Sequence, residues 1–256
     1  MERLSRIFKK IKYSVVSTLY PHTCGACGAV VETEGETLCE ECRYSLEYIP
    51  LDVDLTPLAR EMTQVQLCYF MPLLSYRKSN IESRFVLNIK NSGVRRYGIE
   101  AGRMMGRMIN ARVDAREFDC VVPVPITSKR YEMRGYNQSE LLAAGIEMET
   151  GIPVRTDLLV NEGKVVSNSI DAKRHKSSTA NKYLATDKVK EFCGKHILVV
   201  DDVITTGKTI RECSASIMEK CDSNVKVSIA VVGMVSDLLG VYNEQNKTYT
   251  KDIFDD

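Results

Sequence analysis

The stretch that most restricts this chain is Ile197-Leu198-Val199-Val200-Asp201-Asp202-Val203-Ile204-Thr205-Thr206-Gly207-Lys208-Thr209. Its apolar opening, Ile197–Val200, reads as a strand buried on both faces. The strand ends in two adjacent carboxylates, and a hydroxyl-rich turn then opens a helix predicted over 209–221, with Ile210, Cys213, Ile217 and Cys221 on one face. Ligands of open α/β sheets bind at the carboxyl ends of strands. Backbone N–H groups, threonine hydroxyls and a helix dipole all favour a phosphate there. Asp201 and Asp202 would repel that phosphate, so they face sugar hydroxyls or a Mg²⁺ that bridges to the ligand. Ribose with a 5′-phosphate satisfies both ends. Gly207-Lys208-Thr209 also ends a Walker A pattern, but the first glycine of that pattern falls at Asp202, where a carboxylate opposes nucleotide phosphates. A plain turn and cap needs neither two carboxylates nor three threonines.

The flanking pattern alternates strand and helix. Strands are expected at 67–74, 118–122, 154–160 and 225–234, and helices at 81–89, 98–109 and 137–149. Near-continuous apolar strands between helices imply a parallel sheet covered on both faces. Gly102 and Gly106, four apart, permit close backbone packing, while Arg96, Arg103 and Arg107 share one face, read first as a solvated face and also as the best basic stripe of the main body. Residues 51–65, with Pro57, read as a linker, and 161–182 as an exposed polar segment. The domain plan is an amphipathic helix over 1–19, a cysteine module over 20–50, the α/β domain over 66–240 and a polar tail over 241–256. Leu4, Ile7, Phe8, Ile11, Val15 and Leu19 supply the first helix's apolar face, and Arg3, Arg6, Lys9, Lys10 and Lys12 its cations. That helix either docks on the body or meets a membrane surface or nucleic acid.

The cysteine module has the spacing C-x2-C-x11-C-x2-C at Cys24, Cys27, Cys39 and Cys42. Two knuckles converge four thiolates on one cation, the shell of a structural zinc with no open position. Two disulfides, a redox pair or an iron–sulfur cluster are the rivals; a redox site needs only one Cys-x-x-Cys. The chain has nine cysteines, and the other five (Cys68, Cys120, Cys193, Cys213, Cys221) lie mostly among apolar residues, as reduced buried thiols do. With no secretory signal and no run near the ~18 residues of a membrane span, a cytoplasmic setting is expected. Lys plus Arg number 35 against 34 Asp plus Glu, so a globally basic nucleic-acid binder is excluded and only a local patch remains.

A second constellation follows the strand ending at Val122: Pro123-Val124-Pro125, then Lys129, Arg130, Arg134, Gly135, Tyr136, Asn137 and Gln138. Prolines stiffen the strand exit, and the cations beyond it suit a pyrophosphate. Standing alone, it also reads as a solvated basic turn and a helix start. The acidic pair and phosphate turn resemble the phosphoribosyl-pyrophosphate (PRPP) signature of type I phosphoribosyltransferases. Four cysteines, then P-V-P-I-x-x-K-R-x-x-x-R-G-Y-N-Q, then V-D-D-V-I-T-T-G, together resemble the ComF family, linked to competence and DNA uptake, over about residues 15–235. Leu19-Tyr20-Pro21 and Lys90…Gly93 add to the likeness.

The resemblance implies a phosphoribosyltransferase fold with an N-terminal zinc finger. It implies transfer of a 5-phosphoribosyl group from PRPP with release of pyrophosphate. Asp201 and Asp202 hold the ribose, Thr205, Thr206, Gly207, Lys208 and Thr209 cradle the 5′-phosphate, and Mg²⁺ with Lys129 and Arg130 offsets charge on the leaving group. The acceptor is not legible. Where the family carries a Gln and a Ser-Arg…Glu-Arg…Asn run, this chain has Asn168–Asn181, lacking the Gln and the second Arg. That region is the lid in phosphoribosyltransferases. Its alteration supports the alternative of a non-catalytic PRPP or nucleotide sensor, or a DNA-processing accessory with single-stranded DNA or competence-machinery proteins as partners. A chain beginning Met1-Glu2 offers no N-terminal cysteine nucleophile, so no glutaminase activity is expected.

Overall fold

In the computed structural model, residues 22–31, 36–162 and 183–238 are described. The expected helix over 1–19, the lid segment and the tail over 241–256 lie outside these residues. Four parallel strands form the central sheet in the order β1-β6-β5-β2: β1 Phe70–Tyr76, β2 Cys120–Pro123, β5 His196–Ile204 and β6 Lys226–Val235. A separate antiparallel pair joins β3, Leu159–Asn161, to β4, Tyr183–Ala185.

Alternation along β5 sorts two cores. Leu198 and Val200 join the cluster containing helices α3 (Ile81–Asn91), α4 (Arg95–Arg112) and α6 (Gln138–Thr150). Ile197 and Val199 join the cluster beneath α2 (Thr56–Thr63) and α7 (Lys208–Lys220). The cysteine module, with its short helix α1 (Glu40–Ser45), is continuous with the first core through Cys24, Ala26, Leu38, Cys42 and Leu46. It therefore shares its apolar interior with the main body.

The stretch read as a linker contains α2. Pro57 sits in the first turn, where a missing N–H costs nothing, and Leu58 and Ala59 are buried. The strand expected over 154–160 is shorter. Val154 makes one parallel bridge to Val121, and Arg155 and Asp157 then pair side chain to side chain at 2.9 Å. Extended pairing resumes only at Leu159. Cys193 and Cys221, expected as separate thiols, form a disulfide whose Cα atoms are 5.2 Å apart. Cys193 follows a 3₁₀ turn and Cys221 ends α7, so two element ends distant in sequence become neighbours.

The glycine spacing does what it permits. A Cβ on Gly102 would fall onto the Leu142 carbonyl, and one on Gly145 onto the Ile99 carbonyl, so α4 and α6 touch backbone to backbone. Gly102→Ala must push these helices apart. Overpacking of this kind costs roughly 3 kcal/mol, which lowers Tm by about 6–12 °C in a domain of this size. Calorimetric unfolding showing an unchanged Tm would contradict the contact.

Candidate functional site

β5 runs past its apolar core and carries Asp201 and Asp202 as its sixth and seventh residues, still paired with β6 at Asp201–Val231. The carboxylates are only 8% and 5% exposed. Buried carboxylates need donors, and three surround this pair. Asp202 N–H donates to Asp201 Oδ1 at 2.9 Å, the Ser139 hydroxyl donates to the same oxygen at 3.2 Å, and Val203 N–H donates to Asp202 Oδ1 at 2.8 Å. Burial first, then the charge of Asp202, pushes the Asp201 carboxyl up to about 8. Lys90 Nζ lies 3.0 Å from Asp202 Oδ2, an ion pair too poorly aligned for a hydrogen bond, which leaves that buried oxygen without a hydrogen-bond donor.

Immediately beyond, Thr205–Thr209 wrap a small concavity shared with Asp201 and Val203. Gly207 takes φ +71° at the N-cap of α7, a left-handed conformation that a side chain would strain. A Cβ there would also come 3.1 Å from Thr63 Cγ2 at the end of α2. The missed helix thus backs the loop. Lys208 points outward and pairs with Glu212 at 3.8 Å. Tyr183, the first residue of β4, hydrogen-bonds Thr209, and burial raises its phenol.

The P-V-P…R-G-Y-N-Q segment is mostly architecture. Gly135 ends helix α5 (Ser128–Arg134) in the left-handed region. The Tyr136 hydroxyl donates to the Ile89 carbonyl at 3.0 Å, and Asn137 caps α6 while its amide donates to the Val124 carbonyl at 3.1 Å. Arg134 donates to Gln138 Oε1 at 2.8 Å. These bonds fix the exit of β2 beside β5 and aim Ser139 at Asp201. Lys129 and Arg130 lie on α5, exposed and without an ion-pair partner among the described residues. Arg130's charge is felt at Tyr183, beside the loop. The basic stripe lies on a solvated face, with the Arg103 and Arg107 side chains about half exposed. Arg103 and Arg107 both pair with Glu100 and Glu149, and Arg96 bonds His22. Two of the stripe's three charges are offset by carboxylates, Glu100 and Glu149, that helical spacing alone did not bring into view.

The Sγ atoms of Cys24, Cys27, Cys39 and Cys42 lie within 4.8 Å of one another, with Cys27 and Cys39 at 3.7 Å. Tetrahedral zinc with bonds of ~2.3 Å sets its sulfurs ~3.8 Å apart, so the donor set fits. Backbone N–H groups of Ala26, Ala29 and Cys42 point at three of the sulfurs, each at 3.4 Å. Burial alone would raise Cys24, but N–H donors from Cys27, Cys39 and Ala26 lower it to about 6, while burial and the neighbouring thiols raise Cys42. The Cys24 sulfur is readied as a thiolate, and Cys42 needs a cation to ionise beside it.

A parallel sheet ending in an acidic pair and a threonine-glycine turn fits a phosphoribosyltransferase fold, and residues 111–237 match the phosphoribosyl transferase domain family. Competence protein F of Haemophilus influenzae is 30% identical over 97 residues, 38% of this chain and 42% of that one. DNA utilization protein YhgH of Salmonella typhi is 28% identical over 110 residues, 43% of this chain and 47% of that one. Competence protein ComFC of Bacillus subtilis is 27% identical over 101 residues, 39% of this chain and 38% of that one. These relatives, together with the matched phosphoribosyl transferase domain, support the ComF family for this chain. The matches span less than half the length of each of these relatives. No helix among the described residues is long and apolar enough to cross a membrane.

Proposed function

We propose that this protein binds PRPP and transfers its phosphoribosyl group to an acceptor, releasing pyrophosphate, in a cytoplasmic role tied to DNA uptake or nucleotide metabolism. The observation that carries this reading is the buried acidic pair set against the Thr205–Thr209 turn at one strand end. Asp201 and Asp202 accept hydrogen bonds from the ribose hydroxyls. Thr205, Thr206, Gly207, Lys208 and Thr209 hold the 5′-phosphate with N–H and hydroxyl donors at the start of α7. Displacement at the anomeric carbon builds positive charge on the sugar and negative charge on the leaving group. The chain supplies no nucleophile of its own; it fixes both ends of the donor and stabilises the developing charges. Lys129 and Arg130 face the pyrophosphate side. Mg²⁺ accompanying PRPP supplies charge neutralisation on the pyrophosphate oxygens. Zinc held by Cys24, Cys27, Cys39 and Cys42 has a structural role, since four thiolates leave no coordination position for a substrate.

The names of the relatives favour a second reading, an accessory protein of DNA handling that keeps the pocket without the reaction and contacts single-stranded DNA. One comparison separates the two. Pyrophosphate release is measured over a panel of bases and amines, and single-stranded DNA binding at low and high salt. Acceptor-dependent release establishes the transferase. PRPP binding with no release for any acceptor, together with steeply salt-dependent DNA binding, establishes the accessory. Because Arg103 and Arg107 are already paired, neutralising them is expected to change that salt slope little.

A further inference from the structure

Three consecutive residues in the last turn of α3 reach three different parts of the molecule. The Asn88 amide donates to the Gly25 carbonyl at 2.8 Å, inside the first cysteine knuckle. The Ile89 carbonyl accepts the Tyr136 hydroxyl at 3.0 Å, from the segment that aims Ser139. Lys90 Nζ stands 3.0 Å from Asp202 Oδ2. The first two bonds tie the turn to two separate segments, so the third is a placed contact. Among the described residues it is the only ion pair made by either carboxylate of the acidic pair.

The pair has an unusual quality. Asp202 Oδ2 is buried, covered by the ammonium, and lacks an aligned donor. A ribose hydroxyl must take that place for Asp202 to hold a sugar. The Lys90 side chain is only 26% exposed, and an ammonium displaced from its partner in a partly buried site needs another anion. Ribose 5-phosphate brings none, because its phosphate is held by the Thr205–Thr209 turn. PRPP brings a pyrophosphate on the same sugar.

We infer that Lys90 is a ligand-binding residue: when PRPP enters, its ammonium leaves Asp202 for the pyrophosphate and uncovers the carboxylate for the ribose hydroxyls. The assignment rests on the PRPP reading of the site. It makes Lys90 a selector for ribose donors that carry an anion at the anomeric carbon, over plain ribose phosphates.

Calorimetric titration of the zinc-loaded chain with PRPP plus Mg²⁺, and separately with ribose 5-phosphate, tests it in wild type, Lys90→Gln and Lys90→Arg. Lys90→Gln is expected to weaken PRPP at least tenfold while ribose 5-phosphate binds as before or tighter, and Lys90→Arg to restore most of the PRPP affinity. Lys90→Met, which keeps the stem, repeats the comparison if the glutamine variant melts early. Equal weakening of both ligands would make Lys90 a mere prop for Asp202 and overturn the assignment. So would unchanged binding of both, with the PRPP reading left standing. A folded wild type that binds neither ligand brings down the PRPP reading itself, and Lys90 with it.

Discussion

Asp201→Asn/Asp202→Asn is expected to abolish PRPP binding while the chain stays folded. Each carboxylate offers a hydrogen bond to a charged group, worth about 1.5–3 kcal/mol, so losing two weakens binding at least ~100-fold. Calorimetry on wild type and variant, with and without Mg²⁺, reads this directly. A variant that binds within a few-fold of wild type would remove the acidic pair from the site. Stability should move the other way. The Asp201 carboxyl is raised from 3.8 to about 8 by burial and by Asp202. The folded state therefore binds a proton that the unfolded state releases. The group's contribution is complete below about pH 4 and is lost as pH rises through about 8. Asp201→Asn, which mimics the protonated form, should equal or exceed wild type in Tm at pH 8 and lose that margin near pH 4. The site keeps two carboxylates where folding prefers fewer charges, which is the mark of a ligand-binding pair. A ligand that donates hydroxyl hydrogen bonds selects the ionised form, so PRPP affinity should climb between pH 6 and 8.

Removing the metal, or replacing Cys24 with serine, should cost the largest amount of stability of any single change. Structural zinc contributes on the order of 10 kcal/mol in isolated fingers. Here the finger is not isolated: Cys24, Ala26, Leu38 and Cys42 share a core with Phe85, Ile89, Tyr97 and Met104. Gly25 is so tightly seated that a Cβ would lie 3.0 Å from Phe85. Losing even about 5 kcal/mol lowers Tm by about 10–20 °C. Metal analysis should find one zinc per chain, and a strong chelator should shift the whole unfolding transition instead of melting a separate module. A metal-free chain with unaltered Tm would refute the zinc assignment. Because Asn88 ties the knuckle to the turn bearing Lys90, partial metal loss should weaken PRPP before the fold collapses.

The threonine-glycine turn after the acidic pair, the paired knuckles and the alternation of strands and helices were all readable in the chain. Each is a short-range pattern: an apolar run, a glycine among hydroxyls, two cysteines three apart. Such patterns follow from local backbone geometry and from which faces must leave water. Proline at 57 read as a linker because its helix starts there, and a single buried face of Leu58 and Ala59 is too short a signal to outweigh it.

Tertiary structure decided what surrounds those patterns. Ser139 meets Asp201 across 62 positions and Asn88 meets Gly25 across 63. Lys90 on Asp202, Tyr183 on Thr209, Glu149 on Arg103 and Arg107, and Cys193 on Cys221 are contacts of the same kind. Nothing local in any of these side chains names its partner. Charge and hydrogen-bonding capacity belong to the residue, but the distance that turns them into an ion pair or a raised carboxyl belongs to the packed sheet and its helices. The chain alone therefore specified an acidic pair and a threonine-glycine turn at a strand end, and a four-thiol module; only the fold determined how that strand end is charged, backed and covered.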